Sequence, residues 1–145
     1  MTETKTFPTR TLISVYTACG VPGVTFSMIH EAVEHLVGEP VWTHQLAQRW
    51  PWDRAREEIN RQCIGFSTVY ADALRSACEG NVGEEREAAA EAWAVAAIAG
   101  VGRDEFTVAR GSGLGRSDEQ IGRDAMGSLL EMAGDRPVLA VEVKP

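Results

Sequence analysis

Gly38 to Leu46, GEPVWTHQL, constrains the fold of this chain more than any other stretch. A glycine that accepts a left-handed backbone and a proline two residues later allow no regular helix to run through it. The chain must therefore close one helix before this point and begin another after it. Upstream, Phe26, Ile29, Val33 and Leu36 recur at helical spacing from Thr25 onward. Ser27, His30, Glu31, Glu34 and His35 fall on the opposite side, so an amphipathic helix ends at Gly38. Downstream, Val41 to Thr43 reads as a brief extended piece, and Thr43 as the cap of a short helix ending near Trp50. Pro51 suits a helix's first turn, where its missing N–H costs nothing, and Trp52, Ala55, Ile59 and Cys63 form an apolar stripe beyond it.

The flanking segments supply the remaining elements. Thr11 to Thr17, TLISVYT, is β-branched and aromatic, with Leu12 and Tyr16 on one face and Ile13 and Val15 on the other, and reads as a strand covered on both faces. Ser67 is the N-cap of a helix whose Val69, Tyr70, Leu74 and Cys78 face inward, ended by Gly80. Glu84, Glu85 and Glu87 favour the positive end of a helix dipole, and the alanine-rich run through Ile98 is apolar nearly all round, which predicts a central helix. Glu105 to Ala109 alternates as a short strand with Phe106 and Val108 inward. The loop GSGLGR follows, then a helix opened by the Ser117/Gln120 capping box, with Ile121, Ala125, Leu129 and Met132 on its core side, and a last strand from Pro137 to Val143. The expected fold class is α+β. It is one helix-rich domain over residues 1–145, with a small two- or three-stranded sheet formed by the chain ends and a strand near 105–109.

Size and charge narrow the function classes. A chain of 145 residues with 44% hydrophobic residues can bury a core without disulfides or metal. The net charge of -7 argues against direct nucleic-acid binding, since phosphate neutralisation requires clustered Lys and Arg. Three cysteines, Cys19, Cys63 and Cys78, without CxxC spacing predict neither a disulfide framework nor a zinc finger, and so a reducing cytosol. MTETKTFPTR lacks the apolar stretch of a secretory signal. The run Ala88 to Val101, interrupted by Glu91, is shorter than the roughly 20 residues that span a bilayer, so no membrane partner is expected.

Three segments together resemble an uncharacterised family of small proteins encoded by tailed bacteriophages: TLISVYTACG, IHEAVEHLVGEPVWTHQL and DAMGSLLEMAGDRPVLAVEV. The GEPVWTHQL turn is the most specific of these, whereas the residues from Pro51 to Gly115 depart from the family's pattern. The resemblance carries over no catalytic residues and no cofactor. It implies an accessory protein in the cytoplasm of the infected bacterial host, one that disables or diverts a host system, with a host antiviral defence protein as partner.

Three constellations stand beside that context. Trp42, His44, Trp50 and Trp52 put three tryptophans within eleven residues, either as core wedges or as hot spots of a protein interface beside Arg49 or Arg54. Gly111, Gly113, Gly115, Arg116 and Ser117 lie between a strand and a helix start. They read as a flexible connector, or as a cradle for a nucleotide or other anion with Arg110 or Arg123 nearby; the Lys-Ser/Thr of a P-loop is missing. His30 and His35 are five apart, about 140° around a helix, which breaks the i, i+4 spacing of zinc-protease helices. They read as a solvated face with the His–Glu pairs His30/Glu34 and His35/Glu31; a metal-dependent hydrolase would need His30, Glu34 and His44 to converge. No nucleophile pattern is complete. The expected function is non-catalytic binding and inhibition of a host protein, with a nucleotide-signal or anion sponge as the alternative.

Overall fold

In a computed structural model, residues 3–113 are described together with Gln120, Arg123, Asp124, Met126 and Gly127. The described elements run β1 (Thr4–Pro8), α1 (Thr9–Thr17), α2 (Phe26–Val37), a 3-10 turn at Thr43–Ala47, α3 (Trp50–Gln62), a 3-10 turn at Phe66–Thr68, α4 (Ala71–Cys78), α5 (Gly83–Val101) and β2 (Glu105–Ala109). This is the helix-rich α+β arrangement expected. The two strands pair antiparallel, Phe7 opposite Phe106 and Thr6 opposite Thr107, with the two threonine hydroxyls 2.7 Å apart. The expected closing strand at Pro137–Val143 lies outside the described residues. Gln120, Arg123, Asp124, Met126 and Gly127 are helical, within the helix predicted to open at Ser117.

The largest departure from expectation is TLISVYT, which is helix rather than strand. The strand lies just before it, in Thr4–Pro8, where Phe7 points inward and its neighbours outward. Pro8 ends the ladder, having no N–H to give it, and its fixed φ leads into α1. The first turn of α1 is tied down by the segment before β2: the Thr9 amide donates to the Asp104 carbonyl and the Thr9 hydroxyl to the Arg103 carbonyl, both at 2.7 Å. A short apolar run buried all round reads alike as a buried strand or a buried helix, so pattern alone does not separate the two. Thr9, Thr11, Leu12, Ile13, Ser14, Val15 and Thr17 are all buried, and α1 meets α2, α3 and α5.

α2 starts and stops where the sequence says. The Thr25 hydroxyl accepts from the Met28 amide at 3.2 Å, and Gly38 terminates the helix at φ +91°. α3 opens with Pro51 in its first turn and buries Ala55 and Ile59 against α1 and α2. α5 is the second departure. Of its nineteen residues only Ala94 is fully buried, so this helix flanks the core instead of filling it. Among the described residues no helix is long and apolar enough to cross a membrane.

Candidate functional site

The turn after α2 is built around a single captured residue, Val41. Gly38 lets the chain double back, and its amide donates to the Glu34 carbonyl at 2.9 Å. Pro40 then points the chain along the helix it has just left. The Val41 amide donates to Glu34 Oε2 at 2.9 Å, and His30 Nε2 donates to the Val41 carbonyl. The two side chains, one helical turn apart and 3.5 Å from each other, hold both backbone polar groups of one residue, Val41. Next, the Trp42 amide donates at 3.0 Å to Oε1 of Gln45, whose side chain is buried. Trp42, not Thr43, is therefore the residue capped by the turn.

With its backbone fixed in this way, Trp42 turns its ring outward. It is 43% exposed and meets His44 edge-on, ring centroids 5.8 Å apart and planes at 81°. Beside them is a shallow cleft of about 680 Å³ between His30, Glu34, Pro40, Trp42, Thr43 and His44. Phe26, 54% exposed, extends this surface, its ring centred 6.1 Å from that of His30. Phe26 was expected on the core side of α2. It is the first helical residue, and side chains there lean back toward the N-terminus, past the end of the helix and off the core. That directional rule is the sequence signal by which its place on this surface was readable.

The other tryptophans are used differently. Trp52 Nε1 donates to the Leu46 carbonyl at 2.8 Å and Trp50 Nε1 to Gln48 Oε1 at 2.9 Å, and both rings pack against the core from a half-buried position. Of the four tryptophan and histidine candidates, the structure brings Trp42 and His44 together on one face and turns Trp50 and Trp52 to structural contacts. Arg54 donates to the Gly113 carbonyl at 3.2 Å.

The described part of the glycine-rich loop also has a specific architecture. The Gly111 amide donates to the His35 carbonyl at 2.9 Å and the Gly113 amide to the Val37 carbonyl at 3.0 Å. These bonds satisfy two of the carbonyls left over at the C-terminus of α2. The approach is close enough that a Cβ on Gly111 would lie 2.0 Å from the Leu36 oxygen, and one on Gly38 would lie 2.0 Å from the Gly111 oxygen. Two of the amides that an anion cradle would use thus serve a helix end of negative polarity, with the buried Glu39 carboxylate 3.2 Å from where a Cβ of Gly113 would sit. Gly115, Arg116 and Ser117 lie outside the described residues.

The histidine-rich face of α2 divides. His30 and Glu34 form the expected i, i+4 pair. His35 does not pair with Glu31: it is buried, its Nε2 donates to the Val108 carbonyl at 2.8 Å, and Glu31 instead bonds Lys5 Nζ at 3.0 Å. Among the described residues no group of three or more His, Cys, Asp or Glu side chains is placed to hold a metal ion. Cys63 and Cys78 are buried and Cys19 half-buried; burial pushes the Cys63 thiol up to about 11, against a smaller opposing effect of Arg103.

A model for a domain of unknown function (DUF7736) matches residues 7–69. The matched stretch runs from the inward phenylalanine of β1 through α3 and contains the whole of the turn and its cleft. No curated protein and no solved structure matches the chain.

Proposed function

We propose that this is a tailed-bacteriophage accessory protein that binds and inhibits a host protein, a component of antiviral defence, in the cytoplasm of the infected cell and without catalysis. The observation that carries this reading is the exposed face of Phe26, Trp42 and His44 around the cleft. Large rings held on a fixed backbone cost little conformational entropy on binding, which is why such residues dominate protein interfaces. The net charge of -7 favours a basic partner surface. The phage context comes from the resemblance of the GEPVWTHQL turn. His30 and Glu34 both bond the Val41 backbone, which supports a cleft that offers shape and apolar contact.

The test is affinity capture from host lysate, followed by rebinding of the purified partner to the wild-type chain and to Trp42→Ala and Phe26→Ala. Each substitution is expected to weaken binding at least tenfold, as truncation of a central hot-spot residue does, with the circular-dichroism spectrum unchanged. Equal binding by the double variant would discard this face as the interface. A thermal-shift panel of nucleotides addresses the sponge alternative, which would raise the melting temperature in proportion to ligand bound by the native state.

A further inference from the structure

Glu34 has one more carboxylate oxygen than the turn uses. Its Oε2 accepts from the Val41 amide at 2.9 Å, whereas Oε1 bonds no group among the described residues. The side chain is 37% exposed and lines the cleft. Trp42 lines the same cleft, and an edge-on neighbour such as His44 covers at most one face of its indole. A carboxylate and an aromatic face beside one another recognise a cation, the first by charge-assisted hydrogen bonding and the second through the quadrupole of the ring. The surroundings do not cancel the charge of Glu34. Besides His30 and His44 it is the only titratable residue lining the cleft, and the Nε2 proton of His30 is given to the Val41 carbonyl. On the flank, Glu31 is matched by Lys5 at 3.0 Å. Past the end of α2, the buried Glu39 carboxylate and the Arg54 guanidinium both reach Gly113. Arg49 is exposed and does not line the cleft.

We propose that the partner enters this cleft with an arginine side chain, its guanidinium lying on the Trp42 indole and donating to Oε1 of Glu34. This deepens the reading of the Phe26, Trp42 and His44 face as a protein interface, and rests on it. A guanidinium suits the site better than other cations. It is planar and weakly hydrated, so it stacks on a ring while the N–H donors at its edge stay free for a carboxylate. An ammonium is a compact, strongly hydrated charge that cannot stack and bond edge-on at once. The arginine belongs to a protein surface, because the cleft is shallow and Phe26 continues the apolar contact beyond it, where a small cation does not reach. The net charge of -7 draws basic surfaces toward the chain. Glu34 thereby has two duties: Oε2 holds Val41, which sets the place of Trp42 next to it, and Oε1 meets the arginine.

The probe is Nα-acetyl-arginine amide, titrated into the isotope-labelled full chain and followed by NMR at the four tryptophan indole N–H signals. The Trp42 signal is expected to shift and to saturate at millimolar probe, with Trp50, Trp52 and Trp93 unmoved. The citrulline amide, which keeps the shape and lacks the charge, is expected to bind at least about tenfold more weakly, and the lysine amide about fivefold more weakly. Glu34→Gln keeps an acceptor for the Val41 amide and removes the charge, so it is expected to weaken the arginine probe about tenfold. Equal affinity for the arginine and citrulline amides overturns the proposal, as does an unchanged affinity in Glu34→Gln. Should Glu34→Gln lower the melting temperature, the citrulline comparison on the wild-type chain decides. The two readings fail separately. If Trp42→Ala weakens the purified host partner and Glu34→Gln does not, the face stands and the arginine is discarded; if Trp42→Ala leaves that partner's binding unchanged, the face itself is discarded and the arginine with it.

Discussion

His35 is the buried polar residue with the most consequence. A carbonyl can only accept, so the bond to Val108 places a proton on Nε2, and Nδ1 has no partner among the described residues. The ring is tilted against Phe7 at 5.5 Å, so one side chain links α2 to both strands. His35→Ala removes a buried ring and its hydrogen bond and is expected to cost about 2–4 kcal/mol, read from urea denaturation. A loss below about 0.5 kcal/mol would mean that the ring is not buried in solution. Helical spacing alone put His35 on the solvated side, because it reports which residues share a face and not what packs on the margin of that face. Cys63 makes a separate prediction from burial. The folded chain holds this thiol proton up to about 11, against an ordinary value of 9.0. Between those values the folded state binds more protons than the unfolded one, so stability is complete below 9 and falls as pH rises through the window. Urea midpoints across that range are expected to decline for the wild type and to decline less for Cys63→Ala; identical slopes would remove the thiol from the account.

At the scale of elements, two polar junctions help to fasten the sheet to the helices, beside the apolar packing of Phe7, Phe106 and Val108. One is the glycine seam between the end of α2 and the residues after β2. Gly111→Ala would force a Cβ to within 2.0 Å of the Leu36 oxygen. Since only backbone surrounds it, a loss of about 2–4 kcal/mol is expected in thermal or chemical denaturation, in line with other overpacking and strain effects. The other is Gln62, at the end of α3. Its Oε1 accepts from the Ala109 amide at 2.7 Å and its Nε2 donates to the Ala109 carbonyl at 3.0 Å, so a side-chain amide takes the place of a neighbouring strand. Gln62→Leu would leave both backbone groups unpaired, an expected cost of about 1–3 kcal/mol, and hydrogen exchange should accelerate first at Ala109. Helix ends at Thr25, Gly38 and Pro51 were legible because capping and chain reversal are local. These junctions were not: Gly111 meets Leu36, and Gln62 meets Ala109, across sequence distances that no periodicity spans. The glycines of GSGLGR drew attention for the right residue type. The amides of Gly111 and Gly113, however, are spent on α2.

For the molecule as a whole, the centre lies in α1 and the flank in α5, the reverse of what apolar content alone suggests. A run such as AAAEAWAVAAIAG buries little area per residue, because alanine has little to bury, while Leu12, Ile13 and Val15 contribute large side chains from a helix of only nine residues. α5 is instead fastened to α1 by a polar contact: Arg10 meets both carboxylate oxygens of Glu91, at 2.7 and 3.0 Å, and also bonds the Pro22 carbonyl at 3.0 Å. The same geometry explains how TLISVYT could be misread. Its β-branched residues disfavour helix by a few tenths of a kcal/mol each, far less than the burial gained by placing a short helix where α2, α3, α5 and β1 all reach it. A paired measurement decides whether this is the real hierarchy. Leu12→Ala leaves a cavity on every side of which there is protein, an expected cost of about 2–5 kcal/mol, a large part of the roughly 5–15 kcal/mol that holds a domain together. Val95→Ala, in dilute protein, removes atoms that water already reaches, and is expected to change stability by less than about 0.5 kcal/mol. If the two substitutions cost the same in urea denaturation, α5 is enclosed in solution and the core extends around it; if they separate as expected, the outer face of α5 lies outside the core.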